Sequence, residues 1–363
     1  MIRTKIYILL LFVAFTLNAQ NQIPKNIIFL IGDGMGINYV AASYLNDKNN
    51  PYKDFKSIGF SVTQSADKLI TDSAAGATVL ATGYRTLNRY ISIDSTGNPL
   101  KTIFQFAKEK GKSVGLVVTS SVTNATPAAF YAHIDDRGRE TDIAFQLSQT
   151  ELDLIIGGGK QFFLPDVIGG SRKDDMNLID SMQFRGWNFF EKFDGQSIAV
   201  TDKVLCLLEK NGLKHSSDRY YTLGEMTKAA LDNLSNNQNG FVLLVEGSQI
   251  DWAGHDNNQE YLLSEMKDFN SAIKIALDFA KKNGETLVVV TADHETGGMS
   301  IIGGDFDGNN LKIGFINKSH SAGFVPIFSF GPSEELLRGV LENYEIGRNL
   351  IHLVNPSVLF YPN

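Results

Sequence analysis

"GFVLLVEGSQIDWAGHD", residues 240 to 256, carries an unbroken apolar run into an acid and then sets an aspartate and a histidine four residues apart. A short apolar run with no polar break suits a strand buried on both faces. The same pattern recurs at "NIIFLIG" (26 to 32), "SVGLVVTS" (113 to 120), "LDLIIGG" (152 to 158), "TLVVVTAD" (286 to 293) and "VPIFSFG" (325 to 331). Between these runs lie segments such as "KTIFQFAKEKG" (101 to 111) and "YLLSEMKDFNSAIKIALDFAKKNG" (261 to 284). The second repeats its apolar positions at helical spacing and stops at a glycine. Strands alternating with helices predict an α/β fold, with a large, mostly parallel central sheet and helices on both faces. The polar stretch around residues 170 to 220 reads as an insertion over the sheet edge. With no repeat or linker evident, residues 20 to 363 are expected to form a single domain.

In an open α/β sheet, ligands bind beyond the carboxyl ends of the strands. Those ends are where this chain keeps its acids and imidazoles. "NIIFLIG" runs into Asp33, "GFVLLVEG" contains Glu246, and "TLVVVT" runs into Asp293 and His294. Asp251 and His255, one helical turn apart, can face a single ion. His320 lies in a Ser/Gly loop that enters another strand. Each residue alone has an ordinary reading as a turn, a cap or a surface histidine. Three of only six histidines fall in such places, however, and carboxylate-plus-imidazole sets suit zinc, whereas all-oxygen sets suit magnesium. His133, His215 and His352 lack such surroundings and read as structural or surface residues.

Two glycine-rich stretches fail as nucleotide motifs. "IGDGMG" (31 to 36) has Ile37 where a dinucleotide fingerprint needs glycine, and "IIGGGK" (155 to 160) lacks the spacing of a phosphate loop. "SAAGATVLAT" (73 to 82), read as a helix, puts Ser73 at an N-terminus that favours an anion, behind Asp72. No histidine adjoins it in sequence, but a neighbouring zinc can bind the serine oxygen and lower its pKa; an N-cap serine with no further role is the alternative.

Arg3 and Lys5 precede the apolar run Ile6 to Leu17, and Ala19 follows, which is the order of a secretory signal over residues 1 to 19. The run is too short to span a bilayer, so no membrane span is expected after its removal. Its loss takes away two positive charges and no acids, leaving the formal charge of −7 at −9. No basic patch with interleaved aromatics is evident, which argues against nucleic acid as a partner. An exported protein, periplasmic or extracellular, would permit disulfides, but Cys206 is the sole cysteine. It sits in "KVLCLLEK", a helical apolar pattern, and reads as a packing residue.

Taken in order, "IIFLIGDGMG", "TDSAAGATVLATG", "TNATPAAFYAHIDDR", "VEGSQIDWAGHD", "VVTADHETGGM" and "HSAGFVPIFSFGP" closely resemble the alkaline phosphatase family, zinc and magnesium phosphomonoesterases. The resemblance implies that Ser73 is the nucleophile that becomes phosphorylated. It implies one zinc on Asp251, His255 and His320, and a second beside Ser73 on Asp33, Asp293 and His294. A magnesium would be held by Thr126 and Glu246, with Asp33 bridging. Arg137 would clamp two phosphate oxygens, oriented by Asp72. Small phosphomonoesters and inorganic phosphate are the implied partners, with a possible homodimer. A phosphodiesterase or sulfatase on the same scaffold, or a non-catalytic exported phosphate- or metal-binding protein, are the alternatives.

Three positions depart from the family pattern. Asn124 stands beside the magnesium site where other members carry Asp or His. Trp252 replaces a Lys or His, which would loosen phosphate binding. The stretch between Gly298 and His320 is short where animal enzymes carry a large crown insertion, so a dimer contact made there is expected to be reduced or missing.

Overall fold

The computed structural model describes residues 23–360; the expected signal segment lies outside them. The main sheet contains β1 (Asn26–Gly32), β2 (Ser57–Ser61), β3 (Ser113–Ser121), β4 (Leu154–Gly158), β5 (Asn188–Phe190), β6 (Val204–Leu207), β7 (Phe241–Gly247), β8 (Thr286–Thr291), β9 (Val325–Phe330) and β10 (Gly339–Leu341). Their spatial order is β10-β2-β9-β8-β1-β7-β3-β4-β6-β5, and only β9 runs antiparallel to its neighbours. All six strands expected from the apolar runs are present.

The central strands are buried on both sides, as their unbroken apolar runs require. Along β1, Ile27, Phe29 and Ile31 join one core, while Ile28 and Leu30 join the other. The first core is covered by α2 (Ser73–Thr82), α3 (Ile103–Glu109) and α7 (Asn343–Val354). The second is covered by α1 (Ile37–Asn46), α4 (Leu223–Leu234) and α6 (Gln259–Asn283), with α5 (Gln249–Asp256) beside it. Capping fixes where several helices begin: Thr102 and Gln105 form a capping box on α3, and Asp72 caps α2 through Ala75 N–H.

Two expectations are corrected. The segment "KVLCLLEK" is not helical, since Val204–Leu207 forms β6 with four consecutive buried residues. A run that short and that apolar has no period by which a helix could be told from a buried strand. Cys206 is nonetheless a packing residue, fully buried, with its thiol pushed up to about 12 by burial. The stretch from 170 to 220 does lie at the sheet edge, but β5 and β6 extend the sheet in its own plane rather than covering it.

Register is what builds the site. Ile31 pairs with Glu246 on one side and with Thr291 on the other, and Gly32 pairs with Gly247. Three strands remote in sequence therefore end on one line, and Asp33 and Asp293 emerge just past it. The interval between Gly298 and His320 is a hairpin of two short strands, Ser300–Gly303 and Lys312–Gly314.

Candidate metal centre and nucleophile

Ser73 begins α2 and is almost fully buried at the carboxyl end of the sheet. Its Oγ lies 3.1 Å from His294 Nε2. The same nitrogen is 3.3 Å from Asp33 Oδ1 and 3.4 Å from Asp293 Oδ2. Ligand atoms around a tetrahedral zinc stand about 3.3 Å apart, given bonds of about 2.0 to 2.1 Å. Asp33, Asp293 and His294 thus have the spacing of one ion's ligands, and the serine oxygen lies beside the His294 nitrogen.

A second group lies alongside. His255 Nε2 is 3.2 Å from His320 Nε2 and 3.4 Å from Asp251 Oδ2, and His320 Nε2 is 3.7 Å from Asp251 Oδ1. The rings of His294 and His320 stack with centroids 3.6 Å apart, joining the two groups face to face. Each of these imidazoles is held from behind. His255 Nδ1 meets Lys318 O at 2.8 Å, His320 Nδ1 meets Thr71 O at 2.9 Å, and His294 Nδ1 meets Thr296 Oγ1 at 3.3 Å. A carbonyl on Nδ1 fixes that nitrogen as the protonated one and leaves Nε2 free to ligate.

Farther in, Glu246 is fully buried, with the Thr126 hydroxyl beside its carboxylate. Ser120 Oγ donates to Glu246 Oε2 at 3.3 Å. Arg137 reaches Asp72 Oδ2 at 3.4 Å and Asn124 Oδ1 at 3.5 Å. All eleven expected site residues therefore converge. His133, His215 and His352 stay away from the cluster. His133 faces Ser92 O, His215 stacks on Tyr261, and His352 is exposed on α7.

The electrostatics call for a cation. Burial, then neighbouring acids, hold Asp33 well above the usual carboxylate range. Burial likewise pushes Glu246 to about 7, and burial with the charge of Asp251 pushes Asp293 to about 8. Burial drives His294 well below the usual imidazole range. Asp33 Oδ1, Asp293 Oδ2, Glu246 Oε1 and Thr126 Oγ1 are buried without a hydrogen-bond partner. Unpartnered buried acceptors are costly, and a divalent ion satisfies them at once. The donors present fit metal: imidazole and carboxylate in two groups, and oxygen alone around Thr126 and Glu246.

Some contributors have no signal in the sequence. Thr296 binds the Asp251 carboxylate and the His294 ring, so it braces both groups, yet it is one threonine among many. The carbonyls of Lys318 and Thr71 are backbone atoms that no residue type reveals. Trp252, which stands where other members carry Lys or His, packs with the second core, its ring close against Gly212.

Fold and site together define an α/β protein with paired metal-ligand groups around a buried serine. The family model for alkaline phosphatase matches residues 24–311, and the chain belongs to that family. Alkaline phosphatase 3 of Bacillus subtilis is 41% identical over 300 residues, 78% of this chain and 63% of that protein. The repressible alkaline phosphatase of Saccharomyces cerevisiae is 38% identical over 79% of this chain and 57% of its own length. The chain thus spans about three fifths of these curated relatives. The solved alkaline phosphatase of the Antarctic bacterium TAB5 is 36% identical, with a TM-score of 0.87 over 92% of this chain and 99% of that one. Two variants of that Antarctic enzyme carry Mg in the M3 site.

Proposed function

We propose that the protein hydrolyses phosphate monoesters through a phosphoserine on Ser73, with broad specificity and release of inorganic phosphate. One zinc would be held by Asp33, Asp293 and His294, and a second by Asp251, His255 and His320. Thr126 and Glu246, bridged by Asp33, would hold magnesium. Bound there, the ions stabilise charge on the entering and leaving oxygens and favour the ionised serine.

The rest is work for the chain itself. Ser73 Oγ forms a bond to phosphorus as the bond to the leaving oxygen breaks, and water later cleaves the serine ester. The N–H groups that open α2 face the phosphoryl oxygens, where the helix dipole favours an anion. Arg137 offers a planar fork to two of those oxygens, and Asp72 holds the fork in line. These contacts all address the phosphoryl group, so the alcohol portion of the substrate is left unselected. Asn124 is neutral and leans toward Arg137, so the proposed magnesium site carries one acid fewer than an Asp would supply. We further propose export to the periplasm or exterior, from the Arg3 to Ala19 segment, and a homodimer with little contact from the Ser300–Gly314 hairpin.

The observation that carries this reading is Ser73 Oγ at 3.1 Å from His294 Nε2, the nitrogen that also faces Asp33 and Asp293. Turnover of p-nitrophenyl phosphate, its diester and its sulfate by zinc- and magnesium-loaded protein tests it. The monoester should be preferred by a wide margin. A diester or sulfate preference overturns the assignment, and phosphate binding without turnover of any of the three identifies a binding protein.

A further inference from the structure

We infer that Arg89 is a positioning residue that acts through its backbone, aligning the phosphate clamp with the nucleophile; this rests on the phosphomonoesterase reading. Arg89 takes a left-handed conformation, φ 75°, which side-chain-bearing residues seldom adopt. Its N–H donates to Asp72 Oδ2 at 3.0 Å, and its C=O accepts from the Arg137 N–H at 3.0 Å. One peptide turn therefore grips both partners of the Asp72–Arg137 pair. The other Asp72 oxygen accepts from Ala75 N–H at 3.0 Å, so two backbone donors fix the carboxylate plane. Asn88 completes the cradle: its Oδ1 accepts the Asp72 N–H at 3.3 Å while its Nδ2 donates to Ile70 O at 3.1 Å.

The Arg89 side chain itself points outward, exposed and paired with Asp136. What the site uses is the turn. In the left-handed region the N–H and C=O of Arg89 reach Asp72 and Arg137 together, whereas a negative φ would swing the N–H off the carboxylate. Arg137 would then lose the acid that aligns its fork, and a fork misplaced by an ångström binds a planar pair of oxygens poorly. None of these contacts involves a proposed metal ligand, so metal loading should be untouched.

Three variants isolate the backbone. Arg89→Gly keeps the N–H and adopts positive φ freely, Arg89→Val keeps the N–H but resists positive φ, and Arg89→Pro removes the N–H and fixes φ negative. On zinc- and magnesium-loaded protein, inorganic phosphate affinity is measured by calorimetry, KM and kcat on p-nitrophenyl phosphate, and metal by elemental analysis. Arg89→Val and Arg89→Pro should weaken phosphate binding and raise KM by about tenfold or more, with metal content unchanged, while Arg89→Gly rescues both to within about threefold. The inference is overturned if Arg89→Gly loses as much as Arg89→Val, since the side chain would then be responsible. It is equally overturned if Arg89→Val, folded and metal-loaded, binds phosphate like the parent protein. Should Arg89→Pro fail to fold, Arg89→Val still decides. A parent protein that binds phosphate but turns over no monoester refutes the activity, and the phosphate affinities of the variants still judge Arg89.

Discussion

Ser73 Oγ lies 3.1 Å from Nε2 of His294, a residue 221 positions away in the chain. The serine therefore meets this imidazole only in the folded protein. Replacing it separates chemistry from metal binding. Ser73→Ala should lower kcat by about a thousandfold or more and abolish the acid-stable phosphoenzyme. Zinc content should be retained, because Asp33, Asp293 and His294 remain. Rapid quench with labelled substrate and elemental analysis check this; near-normal turnover would refute the nucleophile.

Crowded carboxylates make the metal-free protein sensitive to alkali. Glu246 titrates near 7 and Asp293 near 8 in the fold, and a hydrogen bond to Asp251 lifts His255 to about 9. Unfolded carboxyls have lost their protons by about pH 5, and unfolded imidazole by about pH 7.5. From about pH 5 the folded state thus holds protons that the unfolded state lacks, on Glu246 up to about 7, on Asp293 up to about 8 and on His255 up to about 9, so stability falls as pH rises through that range. The slope approaches about 1.4 kcal/mol per pH unit for each proton held. Zinc bound at the proposed sites would take over the role of those protons and should flatten the dependence. Melting temperatures of chelated and loaded protein at three pH values test this; a chelated protein that gains stability with pH contradicts it.

Gly34 should be intolerant of a side chain. It turns at φ +69°, and a Cβ there would stand 2.6 Å from Thr296 Oγ1 and 2.9 Å from Asp251 Oδ1. Gly34→Ala is expected to displace the hydroxyl that braces both metal-ligand groups, lowering zinc affinity by about tenfold to a hundredfold. Competition against a zinc chelator measures it. Unchanged affinity would show that Thr296 does not position the ligands.

Asn124→Asp should trade phosphate binding for magnesium binding. The side-chain oxygen at this position is 3.5 Å from Arg137 Nη2. A carboxylate there adds charge near Thr126 and Glu246 but also pairs with the arginine. Half-saturating magnesium should fall by about tenfold and the inhibition constant of phosphate should rise by about threefold to tenfold. Steady-state titrations with magnesium and phosphate report both; movement of neither would place Asn124 outside the site.

The sequence was most legible where burial is two-sided. β1, β7 and β8 read directly as unbroken apolar runs, and the acids after them were visible as candidates. β6 does not read as a strand because four buried residues carry no period, and β10 leaves no apolar run because its residues are largely exposed. His320 alone resembles any surface histidine. It becomes a site residue because the Thr71 carbonyl aims its ring at Asp251 and His255.

Residue chemistry along the chain determined that strand ends would present carboxylates, imidazoles and one helix-opening serine, since apolar continuity and small-residue patterns are local properties. Which of those groups come together was decided by strand register: Ile31 beside both Glu246 and Thr291 brings three strand ends onto one line. Backbone carbonyls and one left-handed turn then set the aim of each side chain. Hydrogen bonds of that kind join residues from 17 to 249 positions apart and depend on no side-chain identity at one end, so only the folded chain contains them.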